Sequence, residues 1–187
     1  MPLPFYDTTV AVFIRQLKNL SAILRKAEKW CDDNGKPHSE VLEAQLAPDM
    51  YSLPSQIRLS VRWARNGVLL NKNYHFKSSQ TKPDVEHVFA ELQAIIQEEL
   101  DFLQSIKPED IEGAENRPLS VWTSGEEGKG IGMKFDAGHK LLSQIVFPNF
   151  WFHISTAYAI CRMAGVPLGK QDFVMAAGPI DCELVMP

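Results

Sequence analysis

Cysteine is scarce in this chain. There are three in 187 residues, at positions 31, 161 and 182, with no C-x-x-C spacing. An odd count without paired spacing argues against a disulfide framework and makes a reducing, cytoplasmic setting the expectation. No long run of Lys or Arg is present and the net charge is −4. Neither a nucleic-acid footprint nor binding to an anionic membrane is expected from that balance, and no basic recognition helix is visible. Long apolar runs are missing too: Ile145 to Ile154 is broken by Pro148, Asn149 and His153, too short a stretch to span a bilayer. The opening Met1-Pro2-Leu3-Pro4-Phe5-Tyr6-Asp7 lacks a basic region followed by an apolar core, so no signal peptide is expected. Gly128-Lys129-Gly130-Ile131-Gly132 lacks phosphate-loop spacing and reads as a hairpin turn. No internal repeat or low-complexity segment is present.

What the chain does have is the composition of one globular domain over residues 1–187, at 45% hydrophobic and 22% charged. Asp7-Thr8-Thr9 is a capping cluster ahead of a helix whose stripe is Phe13, Leu17, Leu20, Leu24 and Ala27, stopped by Asn34-Gly35-Lys36-Pro37. Pro48 and Pro54 bracket the entry to a second long helix ending near Asn66-Gly67. Its inward column reads Asp49, Leu53, Gln56, Ser60, Trp63 and Ala64, unusually polar for a buried stripe. Lys82-Pro83-Asp84 opens a third helix with Val85, Val88, Phe89, Leu92, Ile96 and Leu103 on its core face; Glu99 lies close to that face, where it reads as a residue snorkelling at the bundle end. Alternation at Leu119, Val121, Thr123 and at Ile131, Met133, Phe135 predicts a β-hairpin over about 117–136. A fourth helix covers Leu141 to Ala164, kinked or restarted at Pro148 and capped by Gly165. The tail from about 165 to 187 reads as irregular.

The most informative stretch is Pro148-Asn149-Phe150-Trp151-Phe152-His153. At ~100° per residue, Val146, Asn149, Phe150, His153, Ala157, Ile160 and Ala164 share one helical face. Asn149 and His153 therefore sit inside an apolar stripe, where polar groups need partners. Two readings follow for His153: a general base or ligand anchor at the bottom of a pocket, or a core histidine bonded to a facing Asp or Gln. Asp49 reads either as the carboxylate that orients His153 or as an acid at a helix N-terminus. Gln56 and Ser60, with Trp63, line a polar pocket or form a buried network that fixes helix register.

A family resemblance rests on several of these motifs. Pro148 through His153, with Thr156-Ala157-Tyr158-Ala159-Ile160, Arg162, Gly165-Val166-Pro167-Leu168-Gly169-Lys170 and Asp172, resembles the DUF1993 family of unknown function. Leu46-Ala47-Pro48-Asp49-Met50-Tyr51 with Gln56, Val12-Phe13-Ile14-Arg15, Lys26-Ala27-Glu28 and Gly113-Ala114-Glu115 are similar to its other segments. That family is grouped with the DinB/YfiT-like proteins, four-helix bundles regarded as metalloenzymes. The resemblance implies a divalent metal on three His residues, one from the second helix and an H-x-x-x-H pair from the last. Here His153 matches the second of the pair, Asn149 stands where the first belongs, and Gln56 stands at the second-helix position.

The expectation is thus an all-α, DinB-like four-helix bundle with a small β-hairpin inserted before the last long helix. It binds a small molecule around Asn149 and His153, with Gln56, Ser60 and Trp63 as contacts, His153 and Asp49 as the reactive pair, and no cofactor expected, a divalent metal standing as the alternative. Two alternatives stand beside it: an enzyme independent of metal, or weakly dependent on it, that uses His153 as general acid and base; and a homodimeric interaction or structural module.

Overall fold

The computed structural model describes residues 3–69, 74–75, 88–122 and 130–182. The first long apolar stripe forms as its period requires. After a short helix α1 (Phe5–Thr8), α2 (Val10–Asp33) buries Phe13, Leu17, Leu20, Leu24 and Ala27 completely. The Asp7-Thr8-Thr9 cluster does not cap it as expected. Asp7 and Thr8 belong to α1, and the Thr9 hydroxyl donates backwards to the Phe5 carbonyl at 2.6 Å. After α3 (Ser39–Leu42), α4 (Leu53–Val68) starts with Pro54 in its first turn, where a missing N–H costs nothing. The start at Leu53 leaves Pro48 and Asp49 in the preceding loop.

A two-residue strand β1 (Tyr74–His75) precedes α5 (Phe89–Ser105). Phe89, Leu92, Ile96, Leu100 and Leu103 carry the core face of α5, while Val88 is extended and exposed rather than buried. The predicted helix start at Lys82-Pro83-Asp84, Val85, and the glycine-rich turn up to Lys129 lie outside the described residues. Beyond α6 (Pro108–Ile111) and a 3-10 turn (Ala114–Asn116) comes the expected hairpin, β2 (Leu119–Trp122) antiparallel to β3 (Gly132–Phe135), with Val121 opposite Met133. The sheet order is β1-β2-β3, with β1 parallel to β2. Two residues are too few to show a strand period, so β1 has no signature in the sequence.

The last long helix comes in three pieces laid end to end: α7 (Gly138–Leu141), a π-helical turn (Leu142–Val146) and α8 (Phe147–Met163). Pro148 lies in the first turn of α8, so the widened turn absorbs the proline and the helix continues. Gly165 ends it at φ +101°, and the Val166 N–H bonds back to the Cys161 carbonyl at 3.0 Å, a left-handed C-cap.

The tail is not irregular as the sequence suggested. It holds α9 (Lys170–Met175), whose Asp172 accepts from the Gly169 N–H at 2.6 Å and pairs with Lys26 at 3.0 Å. Burial alone would raise the Asp172 carboxyl, but the Gly169 N–H and the Lys26 ammonium hold it below its usual range. Asn19, buried on α2, donates to the Phe173 and Val174 carbonyls and accepts from the Ala177 N–H at 2.9 Å. The order of this segment thus comes from partners 146 to 158 residues away, beyond the reach of local pattern.

In the bundle, α4 packs most extensively on α8, while α5 contacts both α2 and α4. Phe13 sets its ring edge-on to Phe150 at 4.8 Å. Gly67 permits this layer: a Cβ there would lie 2.7 Å from the Phe13 ring and 2.9 Å from Val146. No helix among the described residues is long and apolar enough to cross a membrane.

Candidate functional site

The α4–α8 contact brings the two helices' polar positions together. Gln56 and His153, 97 residues apart, face each other with 2.7 Å between Oε1 and Nδ1. Gln56 is 1% exposed and His153 8%. The Gln56 amide is itself oriented, since its Nε2 donates to the Tyr51 carbonyl at 3.1 Å. A carbonyl only accepts, so the amide oxygen must be the atom turned to the imidazole. That oxygen also only accepts, so His153 Nδ1 carries the proton. The neutral ring is then the Nδ1–H tautomer, and Nε2 keeps its lone pair. Among the described residues Nε2 has no hydrogen-bond partner. Burial pushes the His153 pKa down to about 4, so the ring is neutral at physiological pH. The exposed ring of Phe152 stands edge-on to the imidazole at 5.2 Å.

The other candidates fall into place around this pair, or away from it. Ser60, one turn after Gln56 and fully buried, donates to the Gln56 carbonyl at 2.8 Å, so its hydroxyl serves its own helix. Trp63 is half-buried and packs at the margin of the core. Asn149 is half-buried, and its Nδ2 donates to the Ile145 carbonyl at 2.7 Å, one turn back along the same helix. Asp49 is corrected: it is exposed in the loop before α4, and the role of setting the imidazole tautomer belongs to Gln56. The physical reason is the helix start at Leu53, which removes Asp49 from the periodicity that had placed it inward. Nothing in the sequence marks the Tyr51 carbonyl, a backbone group, as the anchor of the network.

The two thiols inside the bundle offer no nucleophile, and the third, Cys182, is exposed on the C-terminal tail. Cys31 and Cys161 are buried and unbridged, and burial pushes Cys161 up to about 12. Among the described residues, no three His, Cys, Asp or Glu side chains gather closely enough to hold a metal ion.

A second polar group lies on the opposite side of α4. Glu99 is corrected from a snorkelling residue to one only 1% exposed, with Oε2 accepting from Arg65 Nε at 2.7 Å. Burial raises its pKa to about 7 against the lowering influence of Arg65. The sequence did place Glu99 beside the core stripe of α5, but Arg65 and Asn66 carried no signal beyond helical position.

The comparisons with known proteins agree with this architecture. Residues 5–174 match the family model described as Domain of unknown function (DUF1993). A crystal structure of a DinB family member protein from Shewanella denitrificans is similar at 28% identity, covering 96% of this chain and 95% of that one, with a TM-score of 0.74. No curated protein matches the chain. The chain belongs to the DUF1993 family, and its bundle is DinB-like.

Proposed function

We propose that this DUF1993 family member binds a small molecule through His153 Nε2, without a metal, at the α4–α8 site. The observation that supports this reading is the chain from the Tyr51 carbonyl through Gln56 to His153 Nδ1. It fixes one tautomer and leaves Nε2 an acceptor for a ligand hydroxyl or N–H.

The three-His metal site implied by the superfamily is degenerate in this reading. Zinc and nickel want imidazole, thiolate or carboxylate donors. Here one imidazole stands with two carboxamides, and both amides are already bonded within the protein: Gln56 to His153 and Tyr51, Asn149 to Ile145. Such a donor set does not fit a divalent ion, and no step is derived through one.

Binding is favoured over proton transfer by the imidazole pKa. A general base works best with a pKa near the working pH. At about 4, the ring accepts hydrogen bonds but is a weak proton acceptor. A second reading, the homodimer, is supported by Phe152 and Met163, both about half exposed and three turns apart on one face of α8. Sedimentation at increasing concentration tests that pairing, and a strictly monomeric chain removes it.

Elemental analysis of the untagged protein, beside His153→Ala, tests the central reading. Expected is no stoichiometric metal in either protein. Near-stoichiometric metal in the parent that disappears from the variant overturns the metal-free site.

A further inference from the structure

The cleft between α4 and α5 is lined by Arg58, Arg65 and Asn66 from one helix and Ile95, Glu98 and Glu99 from the other, with a volume of about 200 Å³. It opens on the face of α4 opposite Gln56 and Ser60, so it is distinct from the His153 site. Two of its side chains are buried and unsatisfied. Asn66 is 5% exposed, yet among the described residues neither its Nδ2 nor its Oδ1 has a hydrogen-bond partner. Glu99, 1% exposed, spends Oε2 on Arg65 while Oε1 has no partner among the described residues. Buried polar atoms left unpaired cost stability, and three of them gather at this one cleft.

We propose that this cleft is a binding site for a small, neutral, planar molecule that presents adjacent N–H and C=O groups, the edge shared by lactams, ureides and pyrimidine bases. Asn66 supplies the matching pair when its buried amide turns into the cleft: Nδ2 then donates to the ligand carbonyl and Oδ1 accepts its N–H. In its ionised form, Glu99 accepts a second N–H at Oε1. The charges already present favour a neutral ligand over an anion. Arg65 is paired with Glu99 at 2.7 Å, approaches Glu98 at 3.8 Å and lies over the Phe102 ring at 4.5 Å, and Arg58 and Arg62 hold interactions of their own. What the cleft lacks is hydrogen bonds. Its volume is below the ~300–1,000 Å³ typical of drug-sized ligand sites, which limits the occupant to about one ring.

Uracil is the probe. The full chain is titrated by calorimetry and followed by amide-detected NMR that includes the Asn66 side-chain NH₂. Expected is saturable binding at up to millimolar uracil that moves the Asn66 resonances. Asn66→Leu, close to Asn in shape but without polar atoms, weakens it by roughly tenfold or more, as when a site built to hydrogen-bond loses its partners. Glu99→Gln weakens it too: Arg65 Nε holds the amide oxygen and turns the NH₂ toward the ligand, donor against donor. The proposal is overturned by any of three results: no saturable binding, which leaves water as the only occupant; equal affinity in Asn66→Leu; or shifts confined to Gln56 and His153.

Discussion

Gln56 holds His153 by Nδ1: Oε1 accepts from that nitrogen at 2.7 Å, and the same amide is pinned by the Tyr51 carbonyl at 3.1 Å. The relation uses a neutral partner. A carboxylate in its place would make the ring a stronger base, whereas an amide sets the tautomer and leaves basicity to burial. Gln56→Glu is therefore expected to raise the His153 pKa from about 4 by ~1–3 units, read from the imidazole resonances in an NMR titration. A value that stays near 4 would show that the two side chains are not coupled as described.

Stability against pH carries two opposed contributions. His153 is depressed from 6.5 to about 4, so the unfolded chain binds the extra proton first; its contribution is full above 6.5 and is lost as pH falls toward 4. Glu99 is raised from 4.5 to about 7, so the folded chain holds its proton longer; its contribution is full below 4.5 and is lost as pH rises through 7. Each amounts to a few kcal/mol in order of magnitude. Urea unfolding from pH 4 to 7.5 should be nearly flat in the parent for these two groups. It should slope upward with pH in Glu99→Gln and downward in His153→Gln. Parallel curves in all three proteins would contradict both assignments.

Asn66→Leu should stabilise the ligand-free chain. The substitution removes two buried polar atoms that have no partner, worth ~1–3 kcal/mol, and keeps the branched shape. A higher urea midpoint with an unchanged slope is the expected result. A lower midpoint would mean that Asn66 is satisfied in solution.

Asn19→Ala should loosen the C-terminal segment while sparing the bundle. It deletes the side chain that binds the Phe173 and Val174 carbonyls and the Ala177 N–H. Limited proteolysis is expected to cut within 170–182 faster, with hydrogen exchange in α5 unchanged. Equal cleavage rates would show that Arg15, which donates to the Val174 and Gly178 carbonyls, Gln16, which donates to the Phe173 carbonyl, and the Lys26–Asp172 pair hold the segment without it.

Periodicity alone determined the apolar stripes of α2, α5 and α8, the hairpin strands and the glycine cap at Gly165, because each is a short-range pattern set by backbone geometry. It also marked His153 as a polar group in an apolar stripe, with a facing Gln among its partners. The tertiary structure decided what depends on packing between distant segments. It chose Gln56 over Asp49 as that partner, because α4 begins only at Leu53. It ordered the tail, whose carbonyls are met by α2, and buried Glu99 and Asn66 beside one cleft. A helical wheel gives the direction of each side chain. Whether that direction meets water, a backbone carbonyl or another helix is fixed only when the helices pack, and there the acceptors and donors find partners or go without.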